Sequence, residues 1–162
     1  MIHLSIALSL LAVFVSSAAI AAPPAPQERA VLAAGDRLED FEAEGLDGRV
    51  RQVSFQGRPT VLMFFLSSCP TCHKMIPEWN RAFERKPGHL RVIGVLMDQE
   101  APGFFSAMPI SFPVVRSPGR SFLQSLKVNR APLTLRLAAG GKVEDVGLGL
   151  LDPIRLGEFF RP

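Results

Sequence analysis

The sequence predicts an α/β domain: a mixed sheet with helices on both faces. Three observations predict it. Residues 60–66 and 90–97 are apolar runs separated by a stretch of helical periodicity, and a strand–helix–strand order makes the two strands parallel. Asp47-Gly48 is a tight-turn signal between two short strand-like segments, at 40–43 and 50–55. A second hairpin, 133–137 and 142–146 around Ala139-Gly140-Gly141, gives the sheet an antiparallel edge.

The elements follow in order. The run 60–66 has no polar face beyond its opening Thr60, so it reads as a strand buried on both sides. From Pro70 to Arg85 the positions of Met75, Ile76, Trp79 and Phe83 mark one helical face. Pro77 lies inside that stretch and is expected to kink it, and Lys86-Pro87-Gly88 stops it. Pro102 suits the first turn of a short helix to about Met108. Residues 112–115 read as a short edge strand and 121–126 as a short helix. Asp152-Pro153, a capping residue followed by a first-turn proline, opens a closing helix to Phe160.

At 162 residues, 48% hydrophobic and 20% charged, the chain suits one compact domain and is neither low-complexity nor wholly disordered. A net charge of +3 is too small to argue for nucleic acid. Arg49, Arg51, Arg81, Arg85 and Lys86 are scattered as solvated surface, so no nucleic-acid partner is expected. Residues 2–22 carry no Asp, Glu, Lys or Arg. An apolar core followed by Ala19-Ile20-Ala21 has the layout of a secretory signal spanning 1–21, and the same stretch is just long enough to stay as a membrane anchor. Pro23, Pro24 and Pro26 make 22–34 a stiff linker, and the folded domain is placed at 35–162. Either use of the leader carries the domain across a membrane, to the periplasm of a bacterial source or another extracytoplasmic space where disulfide chemistry is permitted.

Cys69-Pro70-Thr71-Cys72 is the segment that carries chemistry. These are the chain's two cysteines, too few for a disulfide framework or a four-thiolate zinc site. Two cysteines at this spacing close a small ring at the start of a helix. Unpaired N–H groups and the helix dipole there favour a thiolate on the first of them, and the thiolate is the species that attacks a disulfide. Cys72, one turn inward, is placed to resolve the mixed disulfide. Pro70 is tolerated in the first turn and leaves one N–H fewer for the sulfur. Two other uses of the pair are a Cu(I) site and, because His73 completes a Cys-x-x-Cys-His string, a haem attachment site with Met75, Met97, Met108 or His89 as axial ligand. The methionines follow the core pattern, haem domains are mostly helical, and His73 reads as a solvated helix-surface histidine. No metal or cofactor beyond the cysteine pair is therefore expected.

Residues 61–77, from the apolar strand through Cys69-Pro70-Thr71-Cys72 to Pro77, resemble the active-site region of thioredoxin-like proteins. Ala131-Pro132 ahead of the strand 133–137 resembles the cis-proline segment of that superfamily. Phe41, Asp47-Gly48 and Gly57-Arg58-Pro59 are similar to the extra N-terminal hairpin of secreted TlpA/ResA-type redoxins, and the insert 98–128 after the second core strand is similar too. The resemblance implies a thioredoxin-like fold and a thiol–disulfide oxidoreductase. Cys69 would be the nucleophile and Cys72 the resolving thiol, with Pro70 and Thr71 tuning the potential. Ala131 and Pro132 would hold an extended substrate strand. It implies a reductase acting on the disulfides of an exported partner protein and re-reduced by a membrane electron donor. Three positions depart from the pattern. Ser68 stands where thioredoxin has Trp, Met63 stands in place of a buried acid, and Met75 stands where many TlpA-type proteins have Glu. These leave the proton acceptor for Cys72 without a name.

Overall fold

A computed structural model describes residues 32–162; the apolar leader and the linker up to residue 31 lie outside the described residues. Seven strands and four helices alternate as β1 (Phe41–Gly45), β2 (Val50–Val53), β3 (Thr60–Phe65), α1 (Pro70–Arg85), β4 (Arg91–Leu96), α2 (Phe104–Ala107), β5 (Val114–Arg116), α3 (Arg120–Ser125), β6 (Leu133–Leu137), β7 (Val143–Leu148) and α4 (Pro153–Phe160). The strands form one mixed sheet in the order β2-β1-β5-β4-β3-β6-β7. β3 pairs in parallel with β4, β4 in parallel with β5, and every other pairing is antiparallel.

The apolar run of β3 behaves as its composition requires. All six residues are buried. Val61, Met63 and Phe65 join the core under α1, whereas Leu62 and Phe64 join the core on the opposite face. Side chains alternate across a strand, so an unbroken apolar run must feed two cores. The first core takes Cys72, Met75, Ile76 and Trp79 from α1 and Leu156, Phe159 and Phe160 from α4. Against the second lie Phe122 and Leu123 of α3, with the Phe122 ring 4.5 Å from that of Phe41. Gly94 at the centre of β4 is small for a packing reason: a Cβ there would lie 2.7 Å from the Phe112 ring and 3.1 Å from that of Phe65.

The segment expected at a sheet edge lies inside the sheet. β5 sits between β4 and β1, because the N-terminal hairpin adds two strands beyond it. Pro113 precedes β5, and its carbonyl accepts from the Gly94 N–H at 2.8 Å, so a proline next to an interior strand takes no donor from the ladder. In the second hairpin the turn is glycine-bound, since Gly141 has φ +82° and a Cβ there would meet the Leu38 carbonyl oxygen at 2.2 Å.

Two buried polar side chains on β6 tie the helices to the sheet. Thr134 Oγ1 accepts from Trp79 Nε1–H at 3.1 Å, and Arg136 donates to the carbonyls of Phe159 and Arg161 at 2.8 and 2.9 Å, satisfying the end of α4. Replacing Thr134 by Val keeps the shape of the side chain and leaves the indole N–H buried without an acceptor. Thr134→Val is expected to lower stability by about 1–3 kcal/mol. Trp79 is the chain's one tryptophan, so urea unfolding followed by its fluorescence reads the change directly.

Candidate active site

β3 and β4 run side by side in register, Phe65 opposite Leu96. Continuing both strands by two residues brings Ser67 next to Asp98, at the carboxyl ends where parallel sheets place their sites. The Asp98 carboxylate accepts from the Ser67 N–H at 2.8 Å and the Ser68 N–H at 3.2 Å. It also accepts from both hydroxyls, Ser67 Oγ at 3.1 Å and Ser68 Oγ at 2.9 Å. Ser67 Oγ in turn accepts from the Ala101 N–H at 2.9 Å, joining the insert to the turn. The chain therefore leaves β3 in a fixed direction and enters α1 at once.

Cys69 is the N-cap of α1 and Pro70 occupies its first turn. The Cys69 sulfur accepts from the Cys72 N–H at 3.3 Å, using a donor that has no partner within the helix. Cys69 is half-buried. Cys72 is fully buried in the same apolar core as Met63 and Met75. Burial there pushes the Cys72 thiol up to about 12. The bond to Cys69 and the charges of Cys69 and Asp98 add to the effect, and a backbone group of Leu66 opposes it. Met63 and Met75 line the same core with apolar side chains.

Ala131-Pro132 lies against the pair. The peptide bond between them is cis, and the Ala131 carbonyl oxygen is 4.0 Å from Cys69 Sγ. Pro132 is buried and Ala131 half-buried. The Pro132 carbonyl accepts from the Gly149 N–H at 2.8 Å, which draws the loop between β7 and α4 alongside. Pro70 is exposed and Thr71 half-exposed on the first turn of α1. All six residues singled out from the sequence thus share one end of the sheet.

His73 departs from its reading as a solvated residue. Its Nε2 is 2.7 Å from the Ser67 carbonyl oxygen and its ring packs 5.6 Å from Phe104 of α2, which covers it. Asp98 and Ser67 had no role in the sequence reading. The signal for them was the register of two adjacent parallel strands, which a single sequence displays only once their pairing is known. Among the described residues no cluster of three or more His, Cys, Asp or Glu side chains is placed to hold a metal ion.

The Redoxin family model matches residues 33–153. This chain belongs to the Redoxin family. It is similar to the thiol-disulfide oxidoreductase ResA of Halalkalibacterium halodurans, 23% identical over 137 residues covering 82% of this chain and 78% of that one. It is likewise similar to sporulation thiol-disulfide oxidoreductase A of Bacillus subtilis, 21% identical over 126 residues, 74% of this chain and 76% of the relative. The crystal structure of StoA from Bacillus subtilis superposes with a TM-score of 0.66 at 19% identity, over 78% of this chain and 99% of that one, a likeness of fold. The chain is thus a TlpA/ResA-type redoxin of the thioredoxin superfamily, and its class of activity is thiol–disulfide oxidoreduction.

The two thiols of the redoxin should separate chemically. Iodoacetamide at pH 8 is expected to label Cys69 in the folded dithiol protein and to reach Cys72 only after denaturant is added, as peptide mass mapping will show. The raised Cys72 value also has a linkage consequence. Between the ordinary thiol value of 9.0 and about 12 the folded state holds a proton that the unfolded state has lost, so stability present below pH 9 is lost as pH rises towards 12. Denaturation of the dithiol form across that range should show the loss, and the disulfide form should lack this contribution.

Proposed function

We propose that this redoxin is an exported reductase that passes electrons from Cys69 and Cys72 to disulfides of partner proteins. One observation carries the reading: the pair is divided between a half-buried sulfur at a helix cap and a fully buried thiol behind it. The Cys69 thiolate attacks a partner disulfide, forming a Cys69–partner S–S bond and releasing one partner thiolate, which takes a proton. Cys72 then gives its proton to solvent and attacks Cys69 Sγ. The Cys69–Cys72 bond forms, the mixed disulfide breaks, and the second partner thiol leaves. Two electrons and two protons pass to the partner.

The burial of Cys72 supports the donor direction: a pair is a strong oxidant when its dithiol form is stabilised, and burial gives the Cys72 thiolate no such stabilisation. Pro70 and Thr71 tune that balance from the first turn of α1, where Pro70 withholds an N–H from the sulfur. About 30 mV corresponds to about 1.4 kcal/mol for this couple, so one hydrogen bond matters. Ala131 and Pro132 hold the partner as an added extended strand beside Cys69. The apolar leader supports export, with a membrane tether where it is retained, and re-reduction by a membrane electron donor. His73 spends Nε2 on the Ser67 carbonyl, which speaks against it as a haem ligand.

Trapping tests the assignment. Cys72→Ser protein should accumulate a mixed disulfide with its partner, visible on non-reducing gels and removed by dithiothreitol. Cys69→Ser should capture nothing and should fail to reduce a model disulfide such as insulin. Capture by Cys69→Ser alone would reverse the two roles, and capture by neither, with tight Cu(I) binding by the wild-type protein that either substitution abolishes, would favour a carrier.

A further inference from the structure

We propose that the outer edge of β7 is a strand-pairing surface for a second copy of this chain, held shut by the Asp145–Arg155 pair. The inference goes beyond the redox reading and does not rest on it. β7 is an end strand of the sheet and pairs with β6 on one side only. In an antiparallel ladder alternate residues turn both backbone groups away from the neighbouring strand. Val146, opposite Leu135, has both of them taken by side chains. Its N–H donates to Asp145 Oδ1 at 2.8 Å, and its carbonyl accepts from Arg155 Nη2 at 3.3 Å. Arg155 donates to the same carboxylate through both guanidinium nitrogens, at 2.6 Å each. Its place on α4 holds it there: its backbone N–H donates to the Asp152 cap at 2.9 Å, and its guanidinium lies 4.6 Å over the Phe159 ring.

The chain itself closes the start of this edge. Val143 donates its N–H to the Asp36 carbonyl at 2.8 Å and its carbonyl accepts from the Gly35 N–H at 2.9 Å, while Arg37 bridges to Lys142. At the far end Gly149, with φ +80°, turns the backbone away. Residues 144–148 are the stretch between, on which another strand could lie. Outward N–H and C=O groups on such a stretch template strand addition, and Leu148, 41% exposed, would add an apolar side chain to the contact. Water can satisfy an open edge, so the side chains spent on Val146 serve to exclude a strand. An antiparallel pairing of two copies about Val146 is self-complementary. Each Val146 N–H meets the other Val146 carbonyl, Asp145 falls opposite Gly147 and Glu144 opposite Leu148, so no like charges face each other.

The test follows the mass of the full chain by sedimentation equilibrium from about 10 to about 500 μM. Dithiothreitol is present so that no disulfide links two chains, and all proteins come from one host with the same N-terminus, so the leader contributes equally to each. Asp145→Ala should form a dimer at least about tenfold more tightly than wild type. Asp145→Ala/Val146→Pro should return to the wild-type mass, because proline has no N–H to give a facing strand. Asp145→Ala that associates no more than wild type overturns the proposal, even where urea unfolding shows it to be less stable, since a purely structural pair would do only that. A dimer that survives the added proline also overturns it, because that dimer forms elsewhere. Far-ultraviolet circular dichroism and Trp79 fluorescence check that each variant is folded. Should Asp145→Ala be unfolded, Asp145→Thr takes its place under the same criteria. Should the proline variant be unfolded, hydrogen exchange at the Val146 amide of Asp145→Ala decides: exchange that slows as the protein is concentrated supports the proposal, and a rate independent of concentration overturns it.

Discussion

β3 has no side turned to water, and the rest of the molecule is arranged around that fact. Six consecutive buried residues must be covered from above and below, so α1 and α4 take one face, and Phe122 and Leu123 of α3 pack against the core on the other. Burying a large apolar side chain contributes roughly 1.5–3 kcal/mol, and a one-residue slip would move every β3 side chain into the wrong core. The register with β4 and β6 is therefore strongly fixed. A fixed register is what lets the strand ends act as a jig: Ser67 emerges beside Asp98, and β6 begins where Pro132 faces Cys69.

That geometry gives two identical side chains different chemistry. Cys69 and Cys72 are three residues apart, yet one is the cap of a helix and the other faces its core. The cap residue has its backbone outside the helical region, φ −93° and ψ 115°, which turns its sulfur back over the first-turn N–H of Cys72. The residue one turn later points inward because α1 must put Met75, Ile76 and Trp79 against β3. The periodicity that buries Trp79 also buries Cys72, seven residues earlier on the same face. The thiol's reluctance to ionise is thus a by-product of helix packing.

How much of this could be read from residues alone follows the range of the interactions. The buried strand, the cysteine pair, the helix cap at Asp152 and the Asp47-Gly48 turn are local patterns, and each appears where expected. The cis bond at Pro132 came from the resemblance, since X-Pro alone does not specify it. What escaped was non-local. The edge assignment of 112–115 failed because nothing in those residues announces that the hairpin at 41–53 will pair beyond them. His73 looked solvated because Phe104, which covers it, is 31 residues away in the insert. Asp98 had no role in the residues alone, because its four bonds exist only after β3 and β4 are aligned.

Charge placement is the last consequence of this alignment. A carboxylate buried beneath a cysteine pair must be desolvated, which costs several kcal/mol unless it is paired, and it then answers to every protonation change around it. Methionine at 63 and 75 removes that cost and packs the core with apolar volume instead. The carboxylate of Asp98 instead lies past the end of a strand, half-exposed and hydrogen-bonded to both serines of the turn. The serines at 67 and 68 are what make that position possible: each brings an N–H and a hydroxyl to the same carboxylate. The apolar interior and the serine turn are thus two halves of one arrangement, in which the core fixes the sulfurs and the rim carries the charge.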